Sequence, residues 1–266
     1  MLTRKTKTVR LVGTWLLIWL LLLGLSQRSS SAEETPIAAP LTTDQVVETM
    51  VGMNQQRAQA LRSYTATRVY HLEYHGMKDK SADVVVKMTY QWPDRKEFTI
   101  VSENGSEMLR NRVLKRLLKA ELEAMQEENR ERTAINPENY EFRLVGYERT
   151  PHHEFYVLEA TPKVKNKFLF QGRVWVDAQD FAIVRIEGEP AKNPSWWTKR
   201  NDFQHSYKKW GDFWLPARNE TVTQLRIFGR ALLTIEYKDY EITEVRSVQA
   251  ASPVEASATT ALLEKK

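Results

Sequence analysis

The 266-residue chain has no cysteine. That excludes disulfides, thiolate metal sites, a cysteine nucleophile and a lipid-modified N-terminal cysteine. The fold must therefore be held by its core alone. Motifs of the common catalytic machines are missing as well: HExxH, GxGxxG and the P-loop do not occur. No serine sits in a nucleophile elbow, since Gly105-Ser106-Glu107 lacks the second glycine. Beyond the first residues there is no long apolar run, so the segment that follows is expected to be soluble. A basic surplus is lacking too. Five of the 39 Lys and Arg lie in residues 1–32, which hold no acid, leaving 34 basic residues against 34 acidic ones. Nucleic-acid binding loses its electrostatic footprint.

What is present begins with a targeting pattern. Arg4, Lys5, Lys7 and Arg10 precede the apolar run Leu11–Leu25, and Ser30-Ser31-Ala32 offers a small-x-small cleavage site. This reads as a secretory signal peptide over 1–32, with an uncleaved membrane anchor as the alternative. Residues 33–41 read as a Pro/Ala linker, 42–246 as one domain and 247–266 as a disordered Ser/Ala/Thr/Glu tail. With 27% charged and 42% hydrophobic residues, the composition is that of a globular protein.

The order of periodicities defines the fold class. Thr42 and Gln45 have capping-box spacing and open a helix with an apolar stripe through Val46, Val47, Met50, Val51 and Met53, ending at Leu61 or Arg62. From Tyr64 the period becomes two: Tyr64, Ala66, Arg68, Tyr70, Leu72 and Tyr74 alternate with the residues between them. Ser81–Trp92 and Lys96–Val101 continue as strands around a Pro93-Asp94 turn. A long charged helix is predicted from Asn104, capped with Glu107, to about Arg132, before Asn136-Pro137; its apolar side carries Leu109, Leu114, Leu118 and Leu122. Strands resume at Tyr140–Glu148, Phe155–Thr161, Phe168–Asp177, Phe181–Glu189, Phe203–Lys209, Phe213–Leu215, Arg218–Phe228 and Ala231–Thr243. The prediction is a mainly β (α+β) domain: one curled antiparallel sheet of about ten or eleven strands, covered by two or three helices. A sheet curled around helices leaves a concave apolar interior, which can hold a lipid.

Polar clusters have plain readings. His71, Glu73 and His75 share one strand face, but residues four apart on a strand are separated by about 13 Å, too far for both imidazoles to reach one ion easily. They read as a solvated polar face. His152-His153 beside Pro151 reads as a turn, and Asp177 and Asp180 read as turn formers rather than a glycosidase pair. No catalytic residue, metal or cofactor is expected.

The run FLFQGRVWVDAQDFAIVRIEG, Phe168 to Gly188, resembles the hairpin signature of the outer-membrane lipoprotein-sorting (LolA-like) family. FWLPARNETVTQLRIFGRALLTIEYKDYEI is similar to that family's closing strands. The resemblance covers roughly residues 43 to 244. It implies a half-open β-barrel with helices as a lid over an apolar cavity. It also implies a periplasmic, non-enzymatic role in carrying or sensing acyl chains, lipoproteins or envelope proteins. The charged helix Asn104–Arg132 has no counterpart in that pattern, and no family ligand contact maps onto a position here.

Candidate ligand contacts follow from chemistry. Trp196-Trp197, after Asn193-Pro194-Ser195, lies in an irregular loop where an indole pair suits a cavity rim, with Lys192, Lys199 and Arg200 placed to meet anionic headgroups. Leu114, Leu118 and Leu122 are the candidate cover. The expected partners are a lipid or acylated lipoprotein and inner- or outer-membrane proteins, with the chain a monomer. The alternative is an envelope interaction or sensor module without a transported ligand, which would use the charged helix as its contact.

Overall fold

A computed structural model describes residues 41–193, 196–227 and 229–246, without the side chains at 127, 128 and 130. The expected signal peptide, most of the linker, the tail and Pro194-Ser195 lie outside the described residues. Helix α1 (Thr43–Ala60) is followed directly by β1 (Leu61–His75), β2 (Lys80–Gln91) and β3 (Arg95–Gly105). A helical strap comes next: α2 (Glu107–Leu109), a π-turn (Arg110–Leu114), α3 (Lys115–Met125) and α4 (Glu127–Thr133). The remaining strands are β4 (Tyr140–Arg149), β5 (Glu154–Pro162), β6 (Phe170–Asp177), β7 (Ile183–Pro190), β8 (Thr198–Trp210), β9 (Phe213–Leu225) and β10 (Arg230–Val245).

Among the described residues the ten strands form one antiparallel sheet, in the order β3-β2-β1-β10-β9-β8-β7-β6-β5-β4. Two meanders meet at the β1–β10 seam, where Tyr70 pairs with Ile235 and Leu72 with Leu233. The free edges are β3 and β4, and the helical strap is the chain that runs from one to the other. The expected fold class is the observed one: a curled open sheet covered by helices.

The inward face divides its cover between two helical elements. Thr42 caps α1 through a reciprocal hydrogen-bond pair with Gln45. The stripe Val46, Val47 and Met50 is buried against Tyr140, Leu158, Val174, Val176 and Ile186 of β4–β7. Each such burial stabilises by about 1.5–3 kcal/mol. Arg57 fixes the other end of α1 by donating from both Nη1 and Nη2 to the Asp180 carbonyl, each at 2.9 Å. On the other half, Leu109 and Leu114 pack on Tyr70, Leu72, Val84 and Val86 of β1 and β2. Five residues apart, these leucines would diverge by about 140° on a regular helix. The π-turn widens the coil between them and puts both on the sheet.

Several boundaries differ from the periodic reading. The charged helix is not continuous from Asn104 to Arg132. Asn104 and Gly105 still pair with Asp83 and Ala82, so β3 runs on and the helix starts at Glu107. Ser106 takes the cap position without a side-chain hydrogen bond. A break at Gln126, with extended backbone, separates α3 from α4. Phe168 and Leu169 are not in β6, because Asn166 Oδ1 accepts from both their amides and holds them in a turn. Phe181 turns with φ of 49°, so β7 begins at Ile183. Phe213–Leu215 and Arg218–Phe228 are not two strands: β9 runs through Pro216, whose missing N–H is absorbed by a register shift opposite Ser206 and Tyr207. Strand β8 starts at Thr198, five residues before the expected Phe203.

One pair of glycines is required by the curl. Gly172 of β6 faces Gly188 of β7. A Cβ on Gly172 would lie 1.9 Å from the Glu187 carbonyl oxygen, and one on Gly188 would lie 2.3 Å from that of Gln171. The two backbones touch where any side chain would part them. Gly172→Ala is therefore expected to lower stability by about 1–3 kcal/mol through strand displacement. Urea unfolding checks this; an unchanged midpoint would show that the strands separate freely.

Candidate functional site

Two cavities lie between the sheet and its helical cover. The first, of about 320 Å³, is bounded by Tyr70, Leu117, Leu233, Ile235 and Tyr237, with a polar wall of Arg68, Lys96 and Glu121. The second, of about 310 Å³, is bounded by Ile135, Phe168, Phe170, Ile186, Phe203 and Tyr207. His205 lines both. A third hollow, of about 440 Å³, lies on the outer face around Phe155, Trp175 and Trp214, away from the cover.

The polar wall is an ion triad between sheet and strap. Arg68, inward on β1 and almost wholly buried, donates from Nη1 and Nη2 to the Glu121 carboxylate at 2.6 and 2.9 Å. Lys96 of β3 donates to Glu121 Oε1 at 2.6 Å. Burial alone would raise the Glu121 carboxyl, but the Arg68 hydrogen bonds and the charges of Lys96 and Arg68 reverse this and hold it at about 2. Burial alone would likewise lower the Arg68 guanidinium; the bonds and charge of Glu121 outweigh it and raise it. The Arg68–Glu121 pair thus stays charged at any working pH. With two cations and one anion, the triad leaves one positive charge at the cavity wall.

The floor between the cavities is polar in a different way. His205 is pushed down to about 4 by burial, so its imidazole is neutral. Burial also raises the Tyr207 phenol to about 12. Asn219 donates to the Tyr237 hydroxyl at 3.0 Å. The interior can therefore enclose apolar chains and offer hydrogen bonds at a few points, with a single cationic wall.

The candidate residues are not gathered around one cavity. Leu114 is 1% exposed and is part of the core under the strap. Leu118 packs against the same cluster, and Leu122 is 40% exposed. Leu117, one residue before Leu118, is the strap leucine that lines the cavity. Trp196 and Trp197 stand at the β7–β8 turn, 69% and 55% exposed, in an edge-on stack with ring centroids 4.5 Å apart. Sequence reasoning missed Lys96, Glu121, His205 and Tyr207 as interior groups. Arg68 carried a signal: it occupies an inward position of an otherwise apolar period-two series.

The outer face of β1 carries a hydrogen-bonded ladder. His71 Nδ1 meets Asp83 at 2.5 Å and its Nε2 meets Glu73 at 2.8 Å; His75 Nε2 meets the other Glu73 oxygen at 2.9 Å. Asp79 lies at 3.4 Å from His75, and Arg230 of β10 stands opposite. Among the described residues no group of three or more His, Asp or Glu is placed to hold a metal ion. Hydrogen bonds to Asp83 and Glu73 raise His71, hydrogen bonds to Glu73 and Asp79 raise His75, and the two imidazoles lower Glu73. A raised histidine stabilises the fold below its ordinary value and loses that effect as pH rises through the raised one. A lowered carboxylate stabilises above its ordinary value and loses that effect as pH falls. The ladder therefore contributes most between about pH 4.5 and 6.5. Glu73→Gln is expected to lower the melting temperature most in that window and least above it. A uniform drop across pH would sink this reading.

Of the two Asp residues at the β6–β7 turn, Asp177 is the turn former, its Oδ1 accepting from the amides of Gln179 and Asp180 at 3.0 and 2.7 Å, whereas the Asp180 carboxylate accepts from Trp214 Nε1 at 2.8 Å and pairs with Lys209 at 2.7 Å.

The fold and the lined interior define a class: a half-open antiparallel barrel with a helical cover. No family model matches the chain, and no curated protein matches it. Similar solved structures include a LolA superfamily protein from Nitrosomonas europaea, with 12% identity, 79% of this chain and 96% of that one covered, and a TM-score of 0.36. A DUF1329 family protein from Desulfovibrio piger has 12% identity, covers 84% of this chain and 100% of its own, and has a TM-score of 0.39. An outer-membrane lipoprotein-sorting protein domain from Vibrio parahaemolyticus has 13% identity, 81% and 99% coverage, and a TM-score of 0.36. The family that the Phe168–Gly188 hairpin resembles is thus represented among them. No residue role is carried from these proteins to this chain.

Proposed function

We propose that the protein is a non-enzymatic periplasmic carrier or binding protein for an acyl chain or lipoprotein, acting in lipoprotein sorting or lipid transport. The observation that carries this reading is the pair of cavities that share His205 in their lining, bounded by aromatic and aliphatic side chains together with several polar ones beneath a helical strap. Each is of the size of a ligand pocket. An acyl chain moved from water into such a space gains about 0.8 kcal/mol per CH₂. Binding is favourable without directional contacts, and release is the step that needs a device. The strap supplies one, because its middle is held to the sheet by the Arg68–Glu121–Lys96 triad rather than by apolar packing alone. Trp196 and Trp197 serve as the entry rim, and the leucines Leu114, Leu118 and Leu122 as parts of the cover.

Native mass spectrometry of protein purified from a bacterial envelope tests the reading, together with titration of a fluorescent fatty acid. Co-purifying lipid and saturable binding are expected. Ile235→Trp, which fills the first cavity, should abolish uptake while the protein stays folded. No lipid and no fatty-acid binding would defeat the carrier reading.

A second reading, an interaction or sensor module, is favoured by the two free sheet edges. β3 exposes Ile100 and Val101, and β4 exposes Val145 and Tyr147. Such edges accept an added strand. Under this reading Ile235→Trp leaves partner binding intact, which separates the two.

A further inference from the structure

Strand direction alternates through the sheet, so four hairpin loops share one end: β1–β2, β5–β6, β7–β8 and β9–β10. Backbone contacts join them into a continuous rim. Arg226 N donates to the Trp197 carbonyl at 2.9 Å, and Arg226 Nε donates to that of Trp196 at 2.8 Å. Ala191 N donates to the Leu169 carbonyl at 2.8 Å. Gly229, at φ 79°, sits so close to the β1–β2 turn that a Cβ would overlap the His75 carbonyl oxygen.

Every one of these loops repeats one chemical pattern. An exposed apolar tip lies beside or between exposed basic residues. Met77, 80% exposed, precedes Lys78 and Lys80. Val164 stands between Lys163 and Lys165. Trp196 and Trp197 stand between Lys192 and Lys199, and Ile227 between Arg226 and Arg230. Carboxylates at this end are outnumbered rather than absent: Asp79 faces His75, Glu123 and Asp202 neutralise Lys167 and Arg200, Glu189 lies at the end of β7, and Glu107 and Glu138 lie beside the two ends of the strap. The opposite end has no such basic excess, since Arg95, Arg149 and Lys209 beside its turns pair with Glu97, Glu154 and Asp180. Its turns carry Asp94, Asp180 and Asp212, and its exposed tip Trp92 is stacked under Arg62 at 3.8 Å.

We infer that this basic, apolar-tipped rim docks the domain end-on against a membrane surface carrying anionic lipids. Indole and aliphatic tips enter the interfacial layer, while lysine and arginine reach outward to the headgroup phosphates. An extended anionic surface fits because the pattern is spread over four loops at one end of the sheet rather than gathered in a groove. The second cavity is bounded at this same end by Lys167, Phe168 and Pro190, so docking would set its lining beside the lipid. The inference goes beyond the carrier reading and does not depend on a loaded cavity.

The absence of cysteine makes the test direct. Met77→Cys, Val164→Cys and Ile227→Cys each place a sole thiol on the rim; Gln179→Cys and Asp212→Cys place one at the opposite end. Each full-length variant is labelled with an environment-sensitive fluorophore. It is then mixed with vesicles of phosphatidylglycerol and phosphatidylethanolamine, or of phosphatidylcholine alone. Rim labels are expected to brighten and shift to the blue on the anionic vesicles, less so in high salt, with the opposite end silent. Lys163→Gln and Lys192→Gln should each weaken the response about fivefold, the equivalent of about 1 kcal/mol per basic residue at an anionic surface. The labels report which end meets lipid even where the N-terminal apolar run tethers the chain. Equal responses at both ends, no response at the rim, or a rim response to an acidic protein but not to vesicles would overturn the inference. Fatty-acid uptake, measured on the same samples, fails or survives separately.

Discussion

Arg68→Met is expected to destabilise the domain by about 3 kcal/mol, the lower end of the cost of breaking a buried ion pair. The loss comes from Glu121, left part-buried with Lys96 as its remaining cation. Removing both partners, Arg68→Met with Glu121→Leu, is expected to recover most of that, since apolar groups of similar volume replace a pair whose desolvation is costly. Urea unfolding of the two singles and the double gives the coupling energy directly. A double mutant no better than Arg68→Met would show that the triad is not a unit. Hydrogen exchange in Lys115–Met125 adds the functional half: the single should loosen the strap well before global unfolding.

Leu114→Ala is expected to cost about 2–5 kcal/mol, the range for emptying a buried leucine site. Leu122→Ala is expected to stay within about 0.5 kcal/mol, as surface substitutions do. Leu114 packs among Tyr70, Leu72, Val84 and Val86, where the π-turn places it, whereas Leu122 is largely exposed. This contrast divides the strap into a first half anchored by apolar packing and a second half held chiefly by the ion pairs of Glu121 and Glu123. If both substitutions cost the same, the strap is one fixed layer and release must occur elsewhere.

Much of the fold is written in local periodicity. The period-two run from Tyr64 to Tyr74 separates the two faces of β1, and Thr42 with Gln45 marks the start of α1. What escaped depends on distant pairing. Asn104 and Gly105 look like a helix start, and only their ladder with β2 keeps them in a strand. Pro216 looks like a strand break until its partner strand supplies the register shift. The interior polar groups were hidden for the same reason. Arg68 and Glu121 are 53 residues apart, and nothing near Glu121 in the chain distinguishes it from the strap's other charges. The rim was half legible: the Trp pair with its flanking lysines stood out, but that four loops share one end follows only from strand order.

The β1–β10 seam has a consequence for biogenesis. Strand β1 is made early, yet its partner on one side is the last strand of the sheet, so closing the seam means closing nearly the whole domain as a loop. Contacts of such long range form slowly. A growing chain therefore holds two separate meanders, each with a bare edge, until the last strand emerges. During that wait the bare edges of β1 and β9 can each recruit a strand from a neighbouring chain. Yield of this protein should then depend less on its final stability than on how long β1 stands unpaired, and on whether a holdase covers it meanwhile.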